Sequence, residues 1–180
     1  MSVEDREPLI GPGSDIRSII QNLIQEGRIE EAGELKAAGG PGVFEALCGS
    51  KSSLLSRAQA LEAAVEAKVR RISLPAAAIR LGFVSKVAVL QALSKAWNAP
   101  YVDLEGKRPS TEEIRRLLTP EFVWKSVLPF AERDGALCLA MSNPGNRLLI
   151  EHIEELTGKK VRPFLALPED ILAVAQEIRG

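Results

Sequence analysis

The chain has 180 residues, 46% of them hydrophobic and 26% charged, with a mean hydropathy of +0.02 and a formal net charge of −1. That profile excludes a disordered or fibrous chain, and no apolar run nears the roughly 18 residues a membrane span needs. The start, MSVEDREPLIGPGSD, lacks the basic flank and apolar centre of a signal peptide, so a cytoplasmic location is expected.

Residues 1–14, with Pro8, Gly11, Pro12 and Gly13, read as a mobile arm. Ser14 is placed to cap a helix whose Ile16, Ile19, Ile20, Leu23 and Ile24 share one face, and Gly27 ends it. Three segments then share a pattern: GRIEEAGELKAA from Gly27, SLLSRAQALEAA from Ser53 and GFVSKVAVLQAL from Gly82. Their third position is aliphatic (Ile29, Leu55, Val84), the ninth leucine (Leu35, Leu61, Leu90) and the eleventh alanine (Ala37, Ala63, Ala92). Each copy reads as a turn followed by a helix, with Ser56 and Gln59 at capping-box spacing in the second. Such helix-turn-helix units bury their apolar stripes only by stacking.

The pattern changes at Asn98. APYVDL reads as an edge or linking strand, and STEEIRRLLT as a helix to about Leu118, opened by a capping box of Ser110 and Glu113. A short helical turn is expected from Pro120 to Trp124. SVLPFAER and ALCLAMS read as a hairpin around a charged RDG turn, GNRLLIEHIEELTG as a helix closed by Gly158, VRPFLAL as a strand, and PEDILAVAQEI as a helix opened by Pro168. The expected fold class is α+β. A helical part of stacked helix-turn-helix units spans residues 15–97, and a small mixed sheet with helices spans residues 98–180.

The chemistry-bearing residues are sparse. Cys48 and Cys138 stand 90 positions apart without metal or redox spacing, and His152, the only histidine, lies within a helical pattern where a surface imidazole is the simpler reading. No phosphate-binding loop of the G-x-x-x-x-G-K-[ST] kind occurs, and GPG and GGPG place proline where a phosphate nest needs N–H donors. Adjacent carboxylates such as Glu112 with Glu113 and Glu154 with Glu155 point apart on a helix, so a solvated face is the better reading than an acid/base pair. The chain is expected not to be an enzyme and to hold no metal or cofactor.

Charge is unevenly placed. Residues 1–50 carry 4 basic and 9 acidic side chains, and residues 51–95 carry 8 basic and 2 acidic ones. Mutual pairing of these segments is the default reading, with attraction of a phosphate-bearing ligand second. A DNA-binding face built from Lys51, Arg57, Lys68, Arg70, Arg71, Arg80 and Lys86 ranks third, because the chain as a whole is slightly acidic.

From Ser73 to Ile178 the order of signals resembles the N-terminal domain of the assembly ATPases of type II secretion and type IV pili. The likeness is carried by LPAAAIRLGFVSKVAVLQALSKAWNAPYVDL, LTPEFVWKSVLPFAERDGALCLAMSNP and IEELTGKKVRPFLALPEDI. The resemblance implies a docking module that tethers or regulates a motor through a protein partner, such as a cytoplasmic segment of an inner-membrane component or the motor ATPase itself, with recruitment to the inner membrane through that partner. Candidate contact residues are Trp97, Tyr101, Val102, Asp103 and Trp124, against the plainer reading that both tryptophans are core.

Some members of the family bind cyclic di-GMP through two copies of an Arg-Leu-Gly motif, whose arginine stands nine positions before the glycine of the helix-helix turn. With Gly82 as that glycine the ligand position holds Ser73-Leu74-Pro75, and with Gly27 it holds Ser18-Ile19-Ile20. The chain's own Arg80-Leu81-Gly82 is therefore out of phase and is expected to be a helix end. A re-sited dinucleotide pocket lined by Arg70, Arg71 and Arg80 is the alternative.

Overall fold

A computed structural model of the chain describes residues 43, 46–48, 54–117 and 126–179. The expected arm, the helix capped by Ser14, the first repeat copy and the turn at Trp124 lie outside the described residues. The chain divides into two compact units, one ending at Ala96 and the other beginning at Trp97.

In the first unit, serines fix where helices begin. Helix α1 (Arg57–Arg70) carries the expected capping box: Ser56 Oγ accepts from the Gln59 amide at 3.2 Å, and Gln59 Oε1 accepts from the Ser56 amide at 2.9 Å. Helix α3 (Lys86–Trp97) starts the same way, Ser85 Oγ accepting from the Ala88 amide at 3.2 Å. Ser56 and Ser85 both occupy the fourth position of their repeat copies, so the two copies share a helix start as well as an apolar spacing. Between them, helix α2 (Leu74–Arg80) is capped by Ser73. Helix α1 buries only alanines, Ala60, Ala63, Ala64 and Ala67, and packs against α2, where Ala77 and Ala78 are buried. Small side chains on both faces let the two backbones approach closely.

The second unit is a three-stranded sheet with helices on both faces. Strands β1 (Val127–Arg133) and β2 (Ala136–Met141) form an antiparallel hairpin, and β3 (Lys160–Leu165) pairs parallel with β2 on its other side. Asp134 and Gly135, with φ of 53° and 72°, make the two-residue turn that the RDG signal predicts. A register shift between Pro129 and Ala131 marks a bulge in β1, which tolerates Pro129 because an edge strand can lack an N–H there.

Every residue of β2 is buried. Leu137, Leu139 and Met141 face one layer with Val127, Ile114 of helix α4 (Glu112–Arg116) and Ile153 of helix α5 (Arg147–Thr157). Ala140 faces the other with Leu128, Val102, Leu104 and Ile171, Val174 and Ala175 of helix α6 (Pro168–Arg179). Phe130 and Phe164 meet edge to face at 5.4 Å beside that second layer. The α+β class is therefore correct.

Two local expectations are corrected. The cap of α4 is Thr111, whose Oγ1 accepts from the Ile114 amide at 3.2 Å, in place of the expected Ser110. The Ser110 amide instead donates to the Phe130 carbonyl of β1 at 3.0 Å, which holds Ser110 outside the helix. APYVDL is not a full strand but a single parallel bridge between Tyr101 and Leu165.

Glu154 joins α5 to β3. Its Oε1 accepts from the Val161 amide at 2.9 Å and its Oε2 meets Lys160 Nζ at 3.1 Å, and first the backbone bond and then the lysine hold its carboxyl below the usual range. A lowered folded-state pKa means a contribution that is complete above the ordinary value of 4.5 and lost as pH falls through the folded value. Urea unfolding of the native chain and Glu154→Gln should thus differ at pH 7 and converge toward pH 3. A difference independent of pH would contradict this role.

Candidate functional site

The residues singled out in the sequence fall into two groups, one in each unit. In the first unit, Arg80-Leu81-Gly82 is a helix end. The Gly82 amide donates to the Ile79 carbonyl at 3.0 Å and the Phe83 amide to the Ala78 carbonyl at 3.1 Å, with Gly82 at φ +75°. This pair of bonds with a left-handed residue is the Schellman closure, which needs the glycine for its backbone and not for a ligand. The Ser73-Leu74-Pro75 tripeptide opens α2: Ser73 caps the Ala76 amide, and Leu74 and Pro75 are buried. No guanidinium or open backbone is offered there.

Arg70 and Arg80 do converge, but on a carboxylate of the chain itself. Both Nε atoms reach Glu66 Oε1, Arg80 at 3.1 Å, so Glu66 ties α1 to α2. About half of each arginine side chain is exposed, so the pairs contribute modestly. Arg71 is exposed at the end of α1 in the left-handed conformation, with φ 55°. Its amide donates to Lys68 and that of Ile72 to Ala67, which repeats the closure seen at Gly82 with an arginine in the glycine position.

In the second unit, Trp97 ends α3 half-buried, and Asn98 at φ 48° turns the chain toward the sheet. The indole lies against Gly145, where an added methyl would sit 3.4 Å from Trp97 Cδ1 and 3.3 Å from Asn143 Oδ1. Trp97 is thus seated on a tight turn. Residues 100–102 then lie along β3: the Leu165 amide donates to the Pro100 carbonyl at 2.7 Å and the Val102 amide to the Leu165 carbonyl at 2.9 Å.

Because residues 100 and 102 face β3, the N–H and C=O of Tyr101 face away from it, and they make no hydrogen bond among the described residues. The Tyr101 side chain is 38% exposed. Val102, by contrast, buries its side chain in the core and offers a partner no surface of its own. Asp103 Oδ1 accepts from the Glu105 amide at 3.0 Å and shapes the turn that follows. Trp124 lies outside the described residues. His152 is on the exposed side of α5. Cys138 is buried in β2, and burial pushes its thiol pKa up. Among the described residues no cluster of His, Cys, Asp or Glu could hold a metal ion, and no helix is long and apolar enough to cross a membrane.

Sequence reasoning passed over one feature. Arg108, Arg115 and Arg116 line an open cleft in the second unit together with Glu112, Glu177 and Ile178. The adjacent arginines at the end of a five-residue helix were its only sequence signal.

Residues 97–180, the whole of this second unit, match the family model of the MshEN domain. That match agrees with the resemblance read from the sequence. Similar solved structures are MshE with cdg, 20% identical and covering 76% of this chain and 95% of that one at a TM-score of 0.48; the N-terminal domain of XpsE, 19% identical, 93% and 98%, at 0.43; and that domain in another crystal form, 20% identical, 68% and 96%, at 0.42. No curated protein matches the chain.

A left-handed arginine carries a steric cost of about 1 kcal/mol that glycine avoids. Arg71→Gly should therefore raise the unfolding free energy by about 0.5 to 1 kcal/mol, after allowing for the freer unfolded chain. A loss of stability in urea unfolding would show instead that the Arg71 side chain makes contacts that matter.

Proposed function

We propose that this chain is a non-catalytic docking module of the kind found at the N-terminus of secretion and pilus assembly ATPases, acting in the cytoplasm and recruited to the inner membrane by a protein partner. The observation that carries the reading is the outer edge at Tyr101, an exposed aromatic whose amide and carbonyl make no hydrogen bond among the described residues, on a unit that matches the MshEN domain. An extended partner segment can add to that edge through main-chain hydrogen bonds, with the tyrosine ring as an anchor. Asp103 and Glu105 beside it favour a segment carrying basic residues. Trp97, packed on Gly145, holds the start of the edge in place rather than contacting the partner.

The test is capture of proteins from a detergent extract of inner membranes on the immobilised chain. The native chain should retain a component of a secretion or pilus machine. Tyr101→Pro, which removes the outward N–H, and Tyr101→Ala, which removes the ring, should each lose it, with melting temperatures close to native. Retention by both variants would remove the edge as the docking site.

The cyclic di-GMP sensor is the second reading. The Ser73-Leu74-Pro75 slot, with Ser73 capping a helix and Leu74 and Pro75 buried, and the engagement of Arg70 and Arg80 by Glu66 weigh against it. Titration calorimetry with cyclic di-GMP up to ~100 μM, equivalent to roughly −5.5 kcal/mol, should give no binding heat. Saturable heat lost in Arg80→Ala would reverse the ranking.

A further inference from the structure

We propose that the arginine cleft of the second unit is a binding site for a diphosphate group. The cleft has a volume of about 500 Å³, and six residues line it: Arg108, Glu112, Arg115, Arg116, Glu177 and Ile178. Three guanidiniums face two carboxylates, which leaves the lining positive although the chain is acidic overall. Its basic side chains are all arginine, whose planar fork suits phosphate oxygens in pairs, where lysine would act as a point charge.

The arginine backbones are held by the core. Gly106, at φ 69°, makes a turn closed by the Lys107 amide on the Leu104 carbonyl at 3.0 Å, Pro109 is buried, and the Ser110 amide is fixed on β1. Arg108 therefore projects from a segment anchored on both sides. Arg115 and Arg116 follow Ile114, which is 1% exposed and locked against β2. Anchoring of this kind lowers the ordering cost a ligand must overcome.

The present partners of these cations are loose. Arg108 pairs with Glu177, and its Nη1 also donates to the Lys107 carbonyl at 2.8 Å. Arg115 Nη1 stands 3.8 Å from Glu112 Oε2, beyond hydrogen-bond length. Arg116 is exposed and forms no ion pair among the described residues. Half-exposed pairs of this kind are weak and exchange readily with a competing anion. Capping of the α4 and α6 C-termini explains the presence of basic residues here, since cations favour those ends. It does not require that three of them share one cleft. A diphosphate, with two or three charges in a compact body, matches three forks in a polar cleft with one apolar wall. A peptide interface would need more apolar anchoring than Ile178 supplies.

The test is an NMR or calorimetric titration of the full chain with inorganic pyrophosphate at about 50 mM salt. Saturable binding near 0.1 to 1 mM is expected, falling at least fivefold in Arg116→Ala and in Arg115→Ala, with unchanged melting curves. Glu177→Gln removes the competing carboxylate and should tighten binding two- to fivefold, which a merely structural Arg108 to Glu177 pair would not do. ADP binding more tightly than pyrophosphate assigns the diphosphate to a nucleotide, and equal or weaker binding assigns it to the free anion. The proposal is overturned if pyrophosphate binding is absent, if it is indifferent to Arg115 and Arg116, if Glu177→Gln weakens it, or if oligoglutamate binds the cleft where pyrophosphate does not.

Discussion

The second unit depends on burying one strand from both sides. β2, Ala136–Met141, has no exposed position, so each of its residues must find an apolar partner in one of two layers. That demand places α4 and α5 on one face and α6 on the other, and it sets the paths of the connections. A strand covered on both faces must be apolar throughout, which is why ALCLAM has no polar residue to alternate with. Removing a large side chain from it, as at Leu137 or Leu139, opens a cavity that neither layer can close alone, a change that in other cores costs about 2 to 5 kcal/mol.

The two proposed binding surfaces follow from how the sheet ends are treated. On the β1 side the Ser110 amide bonds to Phe130, so this edge is partly covered by the segment that also presents Arg108. On the β3 side residues 100–102 add one bridge and stop, leaving the Tyr101 amide and carbonyl turned outward. Natural sheets usually shield such groups, and here the carboxylates of Asp103 and Glu105 stand beside the short edge. The two ends of one small sheet therefore carry different chemistries, a main-chain edge at one and a cluster of guanidiniums at the other.

In the first unit the local chemistry answers a narrower question. Glycine at position 82 and arginine at position 71 end successive helices by the same pair of backbone bonds, one at no steric cost and the other at some. Two of the three arginines that could have gripped an external anion, Arg70 and Arg80, turn to Glu66 instead. An internal carboxylate between two guanidiniums satisfies the same electrostatic demand that a phosphate would, without any ligand.

Much of this was legible in the sequence because it rests on contacts a few residues apart. Ser56 with Gln59, Asp134 with Gly135, Gly82 and Gly158 each act through bonds to near neighbours, and their residue types announce them. The capping expectation at Ser110 failed because a distant carbonyl, that of Phe130, competed for its amide, and no local pattern records that. The reach of APYVDL was misjudged for the same reason: its pairing with β3 ends where the chain must turn at Asp103. The burial of Val102, the seat of Trp97 on Gly145, the Glu66 bridge and the three-arginine cleft were decided only by the tertiary structure. Each joins residues separated in sequence by a turn, a helix or the length of the unit, and spacing along a chain carries no measure of distance across a fold.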